Sequence, residues 1–172
     1  MRANTMSSAF ISSWTTCRAA CTPAGNTSAE KSEMSAVDFF DSNVLIYLFD
    51  AADPTKQQIA RRLVAHALAE GTGCISHQVV QETLNVLTGK FRQPASSEDA
   101  QHILERVLAP LWRCMPTVAL YTRALDLHAR YRYSFYDSLI LAAALEAGCT
   151  RLYSEDLQDG QQIEGLLTSS PA

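Results

Sequence analysis

Residues 37–49 read Val-Asp-Phe-Phe-Asp-Ser-Asn-Val-Leu-Ile-Tyr-Leu-Phe, in which the polar triplet Asp41, Ser42, Asn43 separates two apolar runs. The first run has the length of a short buried strand, and the second fits one or two apolar helical turns. Asp, Ser and Asn are favoured at the start of a helix, where their side chains accept hydrogen bonds from free backbone N–H groups. The stretch therefore predicts a strand that ends at a carboxylate and is followed at once by a helix.

The same alternation of short strands and helices continues to about residue 153. Apolar periodicity predicts helices over residues 56–70, 78–88, 120–131 and 134–147, and one that starts at Ser96. Further strands are expected at residues 74–76, 114–118 and 151–153, the last of these being the final clear strand. Strands separated by helices indicate a mainly parallel sheet covered on both faces. The functional crevice of such an α/β fold lies beyond the carboxyl ends of its strands.

The first 35 residues differ in composition from the rest of the chain. They are rich in Ser and Thr, have no acidic residue before Glu30, and lack an apolar stretch long enough for a secretory signal. We expect residues 1–35 to be a disordered N-terminal extension, with an organellar transit peptide as the alternative. Residues 36–172 are then the folded domain.

Charge and cysteine content limit the kinds of function that the chain supports. The 172 residues include 14 Lys and Arg against 18 Asp and Glu, a formal net charge of −4 that argues against coating nucleic acid through a general basic field. The five cysteines show no Cys-x-x-Cys spacing, which favours reduced thiols in a cytoplasmic protein. No apolar run approaches the roughly 18 residues of a membrane span, so no membrane association is expected.

Four acidic residues occur where apolar residues dominate: Asp41, Glu82, Asp137 and Asp156. Each has an ordinary structural explanation. Asp41 suits a helix cap, Asp137 forms a capping box with Ser134, Glu82 can face water from the edge of an apolar face, and Asp156 lies in a turn rich in Asp and Ser. As a set they indicate more, because a parallel fold brings the ends of its strands to one rim, with Glu82 able to close the group from the side.

A cluster of carboxylates requires protons or a cation. Two unit charges about 5 Å apart repel by roughly 3 kcal/mol at an effective dielectric constant of about 20. Oxygen ligands alone suit Mg²⁺ or Mn²⁺. The four histidines lack His-x-x-x-His spacing and nearby Cys partners, which disfavours zinc. Gly-x-Ser-x-Gly and a Gly-rich phosphate loop are both missing from the sequence, so acyl transfer and nucleoside triphosphate hydrolysis lose their usual supports.

Four stretches of the sequence resemble the PIN-domain ribonucleases, and within that family the VapC-type toxins of bacterial toxin-antitoxin pairs. The matching stretches occur in the family's order and span about residues 37–165; they are residues 40–47, 76–82, 134–148 and 152–160. The resemblance implies a three-layer α/β/α fold with a mainly parallel central sheet. The last residues, 168–172, are short and polar and depart from the common ending of the family.

The resemblance also implies a metal site and its residues. Carried over by position, the catalytic and metal-binding acids are Asp41, Glu82, Asp137 and Asp156, and the supporting residues are Asn43, Ser134, Ser154 and Asp159. Ser42 stands where the family usually has Thr, and Ser154 stands where it often has Thr. Asp159 falls at a position where family members vary. The cofactor is then Mg²⁺ or Mn²⁺.

The function implied is a metal-dependent endoribonuclease that hydrolyses RNA phosphodiesters and acts as the toxin of a toxin-antitoxin system. By the same analogy, the partners are RNA, a small antitoxin protein and a second copy of the chain. Two other readings stay open: a haloacid-dehalogenase-like or receiver-type phosphotransfer protein that is phosphorylated on Asp41, and a PIN fold used for binding without catalysis. The phosphotransfer interpretation is weakened because such proteins use a Lys downstream of the Asp, and no Lys follows Lys90 in this sequence.

Overall fold

The computed structural model describes residues 37–91 and 93–171, so the expected N-terminal extension lies outside the described residues. The described chain alternates strands and helices. The elements, in order, are β1 (Asp38–Phe40), α1 (Ser42–Tyr47), α2 (Pro54–Glu70), β2 (Gly73–Ser76), α3 (His77–Gly89), α4 (Ser97–Ile103), β3 (Trp112–Cys114), α5 (Val118–Tyr131), α6 (Phe135–Glu146), β4 (Arg151–Tyr153), β5 (Gln162–Ile163) and β6 (Leu166–Ser169). A π-helical stretch, Leu104–Leu108, and a single helical turn, Ala109–Leu111, continue α4 into β3.

Strand β1 lies in the interior of a six-stranded sheet with the order β3-β2-β1-β4-β6-β5. It runs parallel to both neighbours, with Asp38 opposite Gly73 of β2 and Phe40 opposite Tyr153 of β4. Within the described sheet only β5 is antiparallel. The predicted three-layer α/β/α fold with a mainly parallel sheet is confirmed. Because parallel strands end at one edge, the residues that follow β1 and β4 are brought side by side.

The core is formed by the central strands and by α6. Phe39, Phe40 and Leu152 are fully buried, and α6 is buried around its whole circumference from Ser138 to Ala144. A helix that is apolar on all sides belongs in the interior of a domain, as its sequence predicts. Among the described residues, no helix has both the length and the apolar character that crossing a membrane would need.

Helix α2 begins two residues earlier than its apolar pattern predicts. The Asp53 carboxylate accepts hydrogen bonds from the backbone N–H groups of Thr55 and Lys56, each at 3.1 Å, and Pro54 occupies the first helical position. Proline is favoured there because it has no N–H to leave unsatisfied. At the other end, Gly71 adopts a φ of 66° and stops the helix. The cap fixes Lys56 in the first turn, which matters for the site below.

The strand prediction at residues 114–118 is wrong, because β3 occupies Trp112–Cys114 instead. Pro116 has no N–H to donate to a sheet, and Thr117 caps α5 by accepting a hydrogen bond from the Leu120 N–H at 3.1 Å. The sequence after Cys114 is therefore committed to the start of a helix.

Two further strands, β5 and β6, follow β4, which was expected to be the last clear strand. They form a hairpin through Glu164 and Gly165, whose φ values are 51° and 94°, as a two-residue turn of this hand requires. β6 pairs in parallel with β4, and its Thr168 is buried. The polar ending of the chain thus completes the sheet.

Candidate active site

Asp41 ends the interior strand and starts the helix that follows it. One carboxylate oxygen, Oδ1, accepts a hydrogen bond from the Ser42 N–H at 2.6 Å, and the other, Oδ2, accepts one from the Ser154 hydroxyl at 2.7 Å. The Asp41 N–H donates to the Tyr153 carbonyl at 3.0 Å, which extends the pairing of β1 with β4. The side chain is therefore oriented from two strands, and the residue is only 7% exposed. Asp41 does cap α1. Capping does not explain the second hydrogen bond to its carboxylate, which comes from Ser154 after β4.

Burial makes the charged form of Asp41 unfavourable. It raises the pKa of this carboxyl from 3.8 to about 6, even though the hydrogen bonds from Ser154 and Ser42 act in the opposite direction. The nearby charges of Asp156 and Glu82 contribute smaller increases to this raised value. Asp41 is thus a carboxylate that gains from a cation or a proton.

Glu82 faces the site from α3. Its Oε2 accepts a hydrogen bond from the Ser42 hydroxyl at 2.8 Å, and its Oε1 accepts one from the Gln78 amide, also at 2.8 Å. The Ser42 hydroxyl lies 3.4 Å from Asp41 Oδ1, so Ser42 stands between the two acids. The sequence position of Glu82 is compatible with a side chain that faces either a cleft or water. The structure favours the first, since the Glu82 carboxylate faces the site that contains Asp41.

Asp156 is held from α1 and from its own loop. The Asn43 amide donates to Asp156 Oδ2 at 3.3 Å, and the Asp156 N–H donates to the Ser154 hydroxyl at 3.1 Å. Ser154 therefore contacts both the buried Asp41 and the exposed Asp156. Three of the sequence-predicted acids, together with Asn43 and Ser154, are connected in this way.

Asp137 lies in the first turn of α6, where its described hydrogen bonds are local. Its Oδ2 accepts a bond from the Ser134 hydroxyl at 2.7 Å, and its N–H donates to the same hydroxyl at 3.1 Å. These contacts match the cap that its sequence position allows. Within the described residues, Asp137 shares no hydrogen bond with Asp41, Glu82 or Asp156.

Asp159 makes a contact of a different kind. Its Oδ1 accepts a hydrogen bond from the Ser170 N–H at 2.8 Å, and the residue is exposed. This bond links the loop after β4 to the end of the described chain. Asp159 is one of the predicted supporting site residues. In the structure, its carboxylate holds the backbone near the end of the described chain.

Replacing Ser134 with Ala is expected to lower the free energy of unfolding by about 1 kcal/mol, because the first turn of α6 loses its N-cap. Urea denaturation measures the change. Thr117→Ala, which removes the corresponding cap from α5, is the matched control and should cost a similar amount. An unchanged unfolding midpoint for Ser134→Ala, with a normal loss for Thr117→Ala, would show that α6 does not depend on this cap.

Sequence reasoning missed a second polar cluster beside the acids. Glu155 accepts hydrogen bonds from the Tyr47 hydroxyl and from Lys56 Nζ, the latter at 2.5 Å, and Lys56 Nζ lies 3.3 Å from the Tyr47 oxygen. Burial alone would raise the pKa of Glu155, but the bonds from Lys56 and Tyr47 bring it below its usual value. One signal was available: Tyr47 lies four residues after Asn43, and so on the same side of α1.

Mg²⁺ and Mn²⁺ prefer oxygen ligands, and the side chains gathered here offer carboxylate and amide oxygens. As the side chains stand, no three His, Cys, Asp or Glu residues within 37–91 and 93–171 are arranged to hold a metal ion. However, Asn43 Oδ1 is buried and has no hydrogen-bond partner among the described residues, although its amide nitrogen binds Asp156. An unsatisfied buried oxygen, on a side chain that itself binds a carboxylate, is of the kind that Mg²⁺ or Mn²⁺ takes as a ligand.

The sequence and the fold are both similar to known proteins. The family model of the PIN domain matches residues 39–158, a range that includes Asp41, Glu82, Asp137 and Asp156. No curated protein matches the sequence. Among solved structures, a toxin-antitoxin complex from Klebsiella pneumoniae contains a chain that is 22% identical, with a TM-score of 0.52 over 80% of this chain and 98% of that one. The sarcin-ricin-loop-cleaving toxin VapC20 of Mycobacterium tuberculosis is 22% identical, with a TM-score of 0.49 over 67% of this chain and 86% of that one.

Proposed function

Because this chain belongs to the PIN domain family, we propose that it is a divalent-metal-dependent endoribonuclease of the VapC type. One observation carries the proposal: a buried carboxylate, Asp41, ends an interior strand of the sheet beside the charges of Glu82 and Asp156. A buried carboxyl with a raised pKa, at the carboxyl edge of a parallel sheet, is typical of catalytic sites.

The residues that would hold Mg²⁺ or Mn²⁺ are Asp41, Glu82 and Asp156, with the Asn43 carbonyl oxygen beside them. We include Asp137 as the fourth carboxylate because of the resemblance of residues 134–148 to the family. When bound, such an ion supplies positive charge against the developing charge of the phosphodiester and lowers the pKa of a water molecule.

Protein groups prepare Asp41 for this role. The Ser42 N–H and the Ser154 hydroxyl each bind a different oxygen of the carboxylate. Oδ2 therefore keeps a lone pair for a ligand beside its bond from Ser154, whereas Oδ1 also lies 3.4 Å from the Ser42 hydroxyl. The raised pKa of Asp41, about 6, means that protons compete with the cation in mildly acidic solution. At limiting concentrations of the ion, cleavage is thus expected to fall as the pH drops below this value.

The proposal extends to partners and setting. A small antitoxin with a basic segment would complement the acidic site, and the similar chain in the Klebsiella toxin-antitoxin complex supports this choice of partner by its fold. We also propose a second copy of the chain as a partner, RNA as the substrate and the cytoplasm as the location.

Of the two alternatives, phosphotransfer on Asp41 is less well supported, because the PIN family model matches residues 39–158. The sheet order β3-β2-β1-β4-β6-β5 also differs from the 2-1-3-4-5 order of receiver-like folds, which weakens the receiver-type form of this alternative. A PIN fold that binds without catalysis keeps its place, because a complete set of acids does not by itself establish turnover.

The experiment is RNA cleavage by the full chain with and without divalent ions. We expect a labelled single-stranded RNA to be cut internally in the presence of Mn²⁺ or Mg²⁺, the cutting to stop with EDTA, and excess Mn²⁺ to restore it. Calorimetric titration with Mn²⁺ in parallel distinguishes the two remaining readings. Uptake of Mn²⁺ without cleavage of any RNA favours a binding module, and cleavage that persists in EDTA rules out the metal-dependent mechanism.

A further inference from the structure

The three residues of the segment 154–156 point to three different parts of the molecule. The Ser154 hydroxyl donates to Asp41, the Asp156 carboxylate accepts from Asn43, and the Glu155 carboxylate between them accepts from Tyr47 and Lys56. The side chain of Glu155 therefore binds partners that differ from those of Ser154 and Asp156. This separation keeps one acid of the segment away from the group that contains Asp41.

Helix α1 holds this segment at two points. Asn43 and Tyr47 lie four residues apart, about one helical turn, and contact Asp156 and Glu155 respectively. The helix begins directly after Asp41, so the same short element sets the position of the buried acid and of the loop that faces it. The Tyr47 contact comes one helical turn further from Asp41 along α1 than the Asn43 contact.

Lys56 adds a charge to this second point of contact. Its Nζ lies 2.5 Å from Glu155 Oε1 and 4.8 Å from the centre of the Tyr47 ring. The side chains of Lys56 and Glu155 are 30% and 24% exposed, and ion pairs open to solvent in this way add little to stability. The pair does place a cation beside Glu155, the neighbour of Asp156 in the chain. Without this cation, the charge of Glu155 would repel the carboxylates of Asp156 and Asp41.

From these contacts we infer that Lys56 and Tyr47 are positioning residues of the proposed metal site, acting through Glu155. They hold Glu155 aside, and so direct Asp156 and Ser154 toward Asp41. The inference rests on the proposed function. Groups that orient metal ligands affect metal affinity or activity by about 10- to 100-fold when they are removed, even though they do not touch the ion.

The test is the affinity for Mn²⁺, measured by calorimetry on the full chain, together with the kcat and KM of RNA cleavage. Lys56→Met is expected to weaken Mn²⁺ binding by about 10- to 100-fold and to lower kcat more than it changes KM. Lys56→Arg keeps the charge and should stay close to the wild type. Lys90→Met makes the same chemical change at an exposed lysine at the end of α3 and should have no effect. Thermal unfolding without metal should give similar Tm values for all four proteins.

The outcomes separate this inference from the proposed function. If the wild type takes up Mn²⁺ and Lys56→Met binds it equally well, the positioning role is overturned while the nuclease proposal stands. If the wild type takes up no Mn²⁺, both fail. A loss of affinity that Lys56→Arg does not restore, or that comes with a large fall in Tm, also overturns positioning in favour of a structural role. Should Lys56→Met fail to fold, Tyr47→Phe, which keeps the ring and loses only the hydroxyl bond to Glu155, decides between the same outcomes.

Discussion

Replacing Asp41 with Asn is expected to reduce RNA cleavage by about 10³-fold while the protein stays folded. The substitution removes the negative charge that the proposed site would offer to a divalent ion. It keeps the size of the side chain, and an amide can still accept the Ser42 N–H bond and contact the Ser154 hydroxyl. The loss should therefore appear in kcat and in Mn²⁺ affinity rather than in the yield of folded protein.

The measurement is the rate of cleavage of one labelled RNA at saturating Mn²⁺, with thermal unfolding of the same samples. Asp126→Asn is the matched control, since Asp126 is an exposed acid on α5. It should cleave at the wild-type rate. A folded Asp41→Asn protein that retains more than about a tenth of the activity would place the chemistry elsewhere.

The second large effect concerns stability and pH. The pKa of Asp41 is raised by burial from 3.8 to about 6 in the folded protein. A group whose folded pKa is raised stabilises the fold below its unfolded pKa and loses that contribution as the pH rises through the folded value. A shift of this size corresponds to about 3 kcal/mol. The wild type is therefore expected to lose most of this stability, relative to Asp41→Asn, between pH 4 and pH 7.

Urea denaturation of both proteins at several pH values, without metal, tests this expectation. The difference between the two proteins isolates Asp41, because all other groups titrate in both. Adding Mn²⁺ at pH 7 should return stability to the wild type and not to the variant, since a ligand that binds only the folded state stabilises it. A difference that stays constant between pH 4 and pH 7 would mean that the Asp41 carboxyl is not penalised by its burial.

The parts of the fold that the sequence predicts well are those set by local patterns. β1 and α6 are predicted correctly, because a short apolar run before a polar triplet and a helix with no polar face leave few other arrangements. β5 and β6 were missed, because a two-residue strand and a strand containing Thr168 are defined by their pairing with each other and with β4. The limit of β3 was misplaced because the helix signal at Thr117 overlaps the apolar run before it.

The candidate site shows the same division. Asp41, Glu82 and Asp156 were predicted from their unusual places in apolar or turn segments, and the structure connects them through Ser42, Asn43 and Ser154. For Asp137, the same pattern fitted a helix cap and a ligand equally well, and the described contacts are those of the cap. The link between Lys56 and Glu155 joins residues 99 positions apart. Nothing in either local sequence indicates such a contact, since it depends on how α2 packs beside the end of β4.

The pairing of β1 with β4 has a consequence for the order in which the protein acquires activity during its synthesis. Ser154 and Asp41 are separated by 113 positions, and so are Asn43 and Asp156, so the first half of the site leaves the ribosome long before the second. A nascent chain that ends before β4 has Asp41 without the hydroxyl that orients it and without Asp156. We therefore expect the proposed nuclease to remain inactive on the ribosome that is making it, until nearly the whole domain has emerged.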